Sequence, residues 1–107
     1  MADIDPDTGL PVLIKQPWED RLYDIPFCQE LRPGDTIASV TGVSFENMGE
    51  VSGSGDITIA PSPAHNDDTV QPRISGGHDG ENYKLEAQAV TAQGDSLEID
   101  VMLYVRD

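Results

Sequence analysis

Polar and apolar positions alternate most strictly in the last third of the chain. Tyr83, Leu85, Ala87 and Ala89 fall on one side, with Lys84, Glu86 and Gln88 on the other. Ala92-Gln93-Gly94-Asp95 then supplies a tight turn. Beyond it Leu97, Ile99, Val101, Leu103 and Val105 alternate with Ser96, Glu98, Asp100, Met102 and Tyr104. A period of two on both sides of a turn predicts a β-hairpin with one buried and one outward face. Upstream, the Thr-, Val- and Ile-rich run Thr36 to Phe45 predicts a strand, Asp56 to Ala60 a short one, and Thr69 to Ser75 another with Val70, Pro72 and Ile74 on one face. Tyr23 to Phe27 suits an edge strand, and Trp18 to Leu22 begins a helical turn after Pro17 that Pro26 limits. Leu31 to Asp35 is a turn, while residues 49–55 and 61–68 read as loops rich in Gly, Ser and Pro. Short strands at this spacing predict an all-β sandwich or barrel. Residues 1–17 break the pattern: three Pro and three Asp surround one apolar triplet, Val12-Leu13-Ile14. The expected division is an extended N-terminal arm over 1–17 and a β-sandwich domain over 18–107.

Composition narrows the partners. A chain of 107 residues makes one domain. Twenty acids against six bases give a formal charge of −14. Nucleic acid is an unsuitable partner, because phosphate neutralisation needs clustered bases, and Lys15, Arg21, Arg32, Arg73, Lys84 and Arg106 are scattered. Anionic membrane surfaces are disfavoured for the same reason. Cys28 is the only cysteine, which excludes an internal disulfide. The first residues lack the basic and apolar regions of a secretory signal, and no apolar run is long enough to span a bilayer. The expected site of synthesis is a reducing cytoplasm.

Candidate chemistry is sparse. Asp3, Asp5, Asp7 and Gly9 evoke a calcium loop, but Thr8 and Ile14 stand where an EF-hand needs Gly and Glu. His65, Asp67 and Asp68, and the pair His78-Asp79, have ligand chemistry but sit in turn sequence. Ser52-Gly53-Ser54-Gly55 is not a nucleophile elbow, and Cys28 has no histidine at a supporting spacing. No metal, cofactor or enzymatic activity is expected. An interaction patch is. Met102 and Tyr104 fall on the outward face of the last strand, and with Val12, Leu13, Ile14 and Trp18 they form a candidate adhesive surface. Two arrangements fit this set: the arm covers Met102 and Tyr104 within one subunit, or it reaches a neighbour.

Asp79-Gly80, followed by Tyr83, resembles the corner before strand F of immunoglobulin-like domains, where a Tyr hydroxyl bonds back to the corner. The spacing differs, and Leu85 stands where such domains place a cysteine. The fold this implies is an immunoglobulin-like antiparallel β-sandwich. A narrower likeness lies in Leu31-Arg32-Pro33-Gly34-Asp35-Thr36-Ile37-Ala38-Ser39, which resembles the L-x-x-G-D-T-I-A-S segment of small tailed-bacteriophage proteins. Ile74-Ser75-Gly76-Gly77, the strand from Tyr83, and Thr91-Ala92-Gln93-Gly94 follow in the same order. Val43 and its neighbours depart from the pattern, since a Trp is common there. The resemblance implies a non-enzymatic virion protein, a capsid decoration or cement protein or a head–tail neck component, present in several copies or as a homo-oligomer. Its partners would be the major capsid protein or neck proteins. The alternative is an immunoglobulin-like module on a surface appendage that binds carbohydrate or cations.

Overall fold

The computed structural model describes residues 4, 6, 9–48 and 57–107. Among the described residues ten strands follow in chain order: β1 (Val12–Lys15), β2 (Arg21–Leu22), β3 (Ile25–Pro26), β4 (Ile37–Asn47), β5 (Ile57–Ile59), β6 (Ala64–His65), β7 (Thr69–Gln71), β8 (Arg73–Gly76), β9 (Asn82–Thr91) and β10 (Ser96–Val105). They form a four-stranded sheet in the order β1-β10-β9-β4 and two three-stranded sheets, β2-β8-β5 and β3-β7-β6. All pairings are antiparallel except that of β1 with β10. The expected all-β sandwich is the architecture found. The loop expected over 49–55 lies outside the described residues.

The hairpin β9–β10 is the frame. Its register pairs Ser96 with Val90 and runs to Tyr104 opposite Asn82, so Leu85, Ala87, Val101 and Leu103 enter one core. Ile25, Val70 and Ile74 from the smaller sheets, and Phe27 just after β3, meet them, all fully buried. Each such side chain contributes about 1.5–3 kcal/mol by leaving water. Phe45 packs edge-on against Tyr83, with ring centres 5.7 Å apart.

Two sequence expectations need correction. Trp18 to Leu22 is not helical: the Glu19 N–H donates to Gln16 O (3.1 Å), closing a turn, and the chain then enters β2. The segment Thr69 to Ser75 is two strands in two sheets, β7 and β8. Pro72 divides them. It has no N–H to continue a ladder, but its carbonyl accepts the Tyr23 N–H (3.0 Å) and its ring is buried. The one-face expectation for Val70, Pro72 and Ile74 holds, since all three point into the core.

The apolar triplet of the N-terminal segment packs on its own chain. β1 lies beside β10 with Val12 opposite Met102, Leu13 opposite Leu103 and Ile14 opposite Tyr104. The Met102 N–H donates to Pro11 O and the Arg106 N–H to Lys15 O, both at 2.8 Å. Val12 to Lys15, part of the segment read as an arm, is a strand of the main sheet.

Candidate interaction surface

The turn between β1 and β2 is built around Lys15, which no sequence pattern marked as special. Its side chain is fully buried. Its Nζ donates to three backbone carbonyls, Gly76 O (2.7 Å), Gln16 O (2.8 Å) and Pro17 O (3.2 Å). Burial pushes the ammonium pKa below the ordinary lysine value, although Glu19 and Asp20 pull it back up. Glu19 adds a second brace by accepting the Gln16 N–H at 2.8 Å. That bond is the first cause of a carboxyl held below its usual range. The signal for Lys15 was present in the alternation, since Leu13 and Lys15 share the inward face of β1.

This braced turn holds Trp18 out in solvent, 94% exposed. Ile14 on one side and Leu22 on the other are 49% and 40% exposed. The six residues of the expected patch therefore divide. Ile14 and Trp18 are at the surface, and Leu13 is packed against the core. Met102 and Val12 are buried, at 3% and 4%, which corrects the expectation of an exposed Met102. The alternation put Met102 on the outer face of β10 correctly, but it carried no information about β1 lying alongside. Tyr104 is half-buried beneath the Arg106 guanidinium, 4.8 Å from its ring centre. Arg106 is fixed there by bonds to Glu81 O, Val105 O and Asn82 Oδ1.

Two of the segments that carried the phage-protein resemblance, Leu31 to Ser39 and the Thr91 to Gly94 turn, meet in space. Asp35 Oδ1 accepts the Thr36 N–H (2.8 Å) and the Gln93 N–H in the hairpin turn (3.1 Å). Arg32 grips Asp95 of the same turn, with Nε 2.7 Å from Oδ2 and Nη2 3.3 Å from Oδ1. The Ala92 N–H donates to Thr36 O at 2.8 Å. Burial pushes the Asp35 carboxyl up, but the Thr91 hydroxyl, the two backbone donors and Arg32 together hold it below the ordinary aspartate value. The resemblance to an immunoglobulin corner also has a physical counterpart. The Tyr83 hydroxyl donates to the buried Glu81 Oε1 (2.8 Å), which also accepts the His78 N–H (2.7 Å).

Neither histidine cluster forms a ligand set among the described residues. His65 Nδ1 lies 3.2 Å from Asn66 O, and Asp68 engages Thr69. The acidic arm residues Asp3, Asp5 and Asp7 and the run Ser52-Gly53-Ser54-Gly55 lie outside the described residues. The group brought together is one the sequence reading passed over. Carboxylate oxygens of Glu86, Glu98 and Asp100 lie within 4.8 Å of one another on the outer face of the hairpin. All three are outward positions of the alternation, and the register puts Asp100 directly opposite Glu86.

Burial, and then the like charge of Glu98, push the Asp100 carboxyl above its ordinary value, with Lys84 opposing. A carboxyl whose pKa is higher folded than unfolded favours folding only in its protonated form. Stability is therefore lost as the pH rises from the unfolded value, about 3.9, through the folded one. Asp100→Asn should melt about 1–5 °C above the wild type at pH 7, the scale of one relieved like-charge pair on a sheet face. The two curves should converge below pH 3.9, and a variant that melts lower at pH 7 would show the three carboxylates to be mutually stabilised.

Over residues 15–104 the sequence fits a family of bacteriophage structural proteins. The family is that of the podophage GP4 fiber-tail adaptor protein gp77, and the chain belongs to it. No curated protein and no solved structure matches the chain significantly. The chain is thus a structural protein of a phage virion, and the virion is its place of action.

Proposed function

We propose that the protein is a non-enzymatic adaptor that joins a fibre to the tail of a podophage particle through protein–protein contacts. The observation that carries this reading is the braced β1–β2 turn, which holds a large aromatic side chain in solvent on a rigid frame. Aromatic anchors of this kind supply most of the energy of protein interfaces. The family description supports tail and fibre proteins as the partners, in place of the major capsid or neck proteins that the sequence resemblance implied.

The test is to assemble particles without the chain and image them. Adaptor function predicts intact, filled heads with tails that have lost their fibres. Fully fibred particles with fragile heads would overturn it and restore the reading as a head decoration or cement protein.

A further inference from the structure

Trp18 has a receiving site for its own kind on the same molecule. Leu22, Pro61, Ser62, Pro63, Ala64 and Arg73 line an open hollow of about 180 Å³ beside β2. Leu22 is only four residues from Trp18, so the two features lie within about 14 Å along the chain. Trp18 does not fill this hollow itself, because it is 94% exposed. The hollow suits an indole. Prolyl, alanyl and leucyl surface makes up most of its lining, with Ser62, Gln71 and Arg73 as the polar members, and proline-bearing segments receive aromatic rings at low entropic cost because they are already stiff. Ser62 is held at φ +58°, a left-handed conformation that a non-glycine residue keeps only when its surroundings impose it. Arg73 stands at the rim, its Nη1 3.5 Å from the Asp20 carboxylate and 3.2 Å from Asp20 O, where a guanidinium can also face an incoming ring.

Charge selects the occupant. The chain carries −14 overall, so most faces of one copy repel most faces of another. The neighbourhood of Trp18 is the exception. Arg21 and Arg73 meet Glu19, Asp20 and Asp24 there, and the Lys15 ammonium is buried in the same turn. Arg21 pairs with Glu19 at 3.6 Å, Arg73 with Asp20, and Asp24 accepts from Gln71 at 3.0 Å. Three acids and three bases lie here, against seventeen acids and three bases in the rest of the chain. A patch with a projecting aromatic, an adjoining apolar hollow and balanced charge is complementary to itself.

We propose that the β1–β2 turn is the contact between two copies of this chain, in which the Trp18 of each fills the Leu22–Pro61–Pro63 hollow of the other. Such a contact is isologous: the same surface serves both partners, and both insertions form together. The inference concerns the chain alone and does not depend on the adaptor reading, since it is tested without fibre or tail.

Trp18 is the only tryptophan in the chain, so its fluorescence reports the contact directly. Purified protein is to be followed by sedimentation equilibrium and tryptophan emission from low micromolar to millimolar concentration. The expected result is a reversible dimer whose emission moves to shorter wavelength as the dimer fills. Trp18→Ala should weaken dimerisation by about thirtyfold or more, the loss of a hot-spot side chain, without lowering the melting temperature. Pro61→Asp, which keeps the tryptophan but spoils the hollow, should leave the emission at its dilute wavelength at all concentrations. Dimerisation should strengthen with added salt, because screening relieves the overall repulsion. Three outcomes would overturn the proposal: a monomer at every concentration, a dimer with unshifted emission, or a dimer that survives Trp18→Ala.

Discussion

Gly77→Ala should unfold the domain roughly 10–30 °C below the wild type. Gly77 has φ +89°, where an L side chain is strained by about 1–2 kcal/mol. Space is the second obstacle. A Cβ there would stand 3.0 Å from Ile57 Cγ2 and 3.1 Å from Val105 Cγ2. Both neighbours are buried and β-branched, so neither methyl can swing aside without its whole side chain leaving its rotamer. Overpacking of this kind costs about 1–3 kcal/mol, and the two effects together reach about 2–5 kcal/mol. Gly34→Ala separates them. Gly34 has φ +78° but no atom within 4 Å of the added Cβ, so only the conformational part is lost. Thermal or urea denaturation of both variants gives the comparison, and equal losses would show that Gly77 is needed only for its backbone angle.

That glycine explains part of the resemblance on which the phage reading first rested. In Ser75-Gly76-Gly77 the chain turns against the end of β10, and Gly76 O receives the Lys15 ammonium. The Arg32 to Thr36 segment and the Thr91 to Asp95 turn belong together for a similar reason, since Asp35 and Arg32 clamp the turn. Each motif looks like ordinary turn sequence by itself. Their shared meaning is a contact between segments about sixty residues apart, which no local pattern expresses.

The hairpin was legible because period two and a four-residue turn determine register without help from the rest of the chain. Met102 was misjudged because alternation reports which face a side chain takes, and not what lies beside that face. The parallel pairing of β1 sets Val12 beside it. The split at Pro72 was hidden because β7 and β8 keep the same inward face across it. Of the candidate surface, Trp18 and Ile14 were found as apolar residues on a segment with little secondary structure of its own. The hollow beside β2 was not found, because its walls come from β2, β8 and a loop that are distant in sequence. The acidic trio was within reach, since pairing the two strands from their turn places Asp100 opposite Glu86.

Lys15 connects the fold to the proposed contact, and two substitutions separate what its stem does from what its charge does. Lys15→Ala should cost about 3 kcal/mol: three buried methylenes at about 0.8 kcal/mol each, plus the cavity they leave. The melting temperature should fall by roughly 12–24 °C. Lys15→Met keeps most of the stem and removes the ammonium. Burial pushes the Lys15 ammonium below its ordinary pKa and the charges of Glu19 and Asp20 offset this only in part, so the folded environment favours the charged form less than water does. Lys15→Met should therefore melt within a few degrees of the wild type. It should nevertheless free the Gln16, Pro17 and Gly76 carbonyls, loosening the turn and lowering the fluorescence anisotropy of Trp18. If the turn must be rigid to present Trp18 to a second copy, this variant loses dimer affinity while keeping its stability, because the ordering entropy is then spent on association. A Lys15→Met protein as unstable as Lys15→Ala would instead show that the ammonium holds β1 in the sheet, and the stem would be incidental.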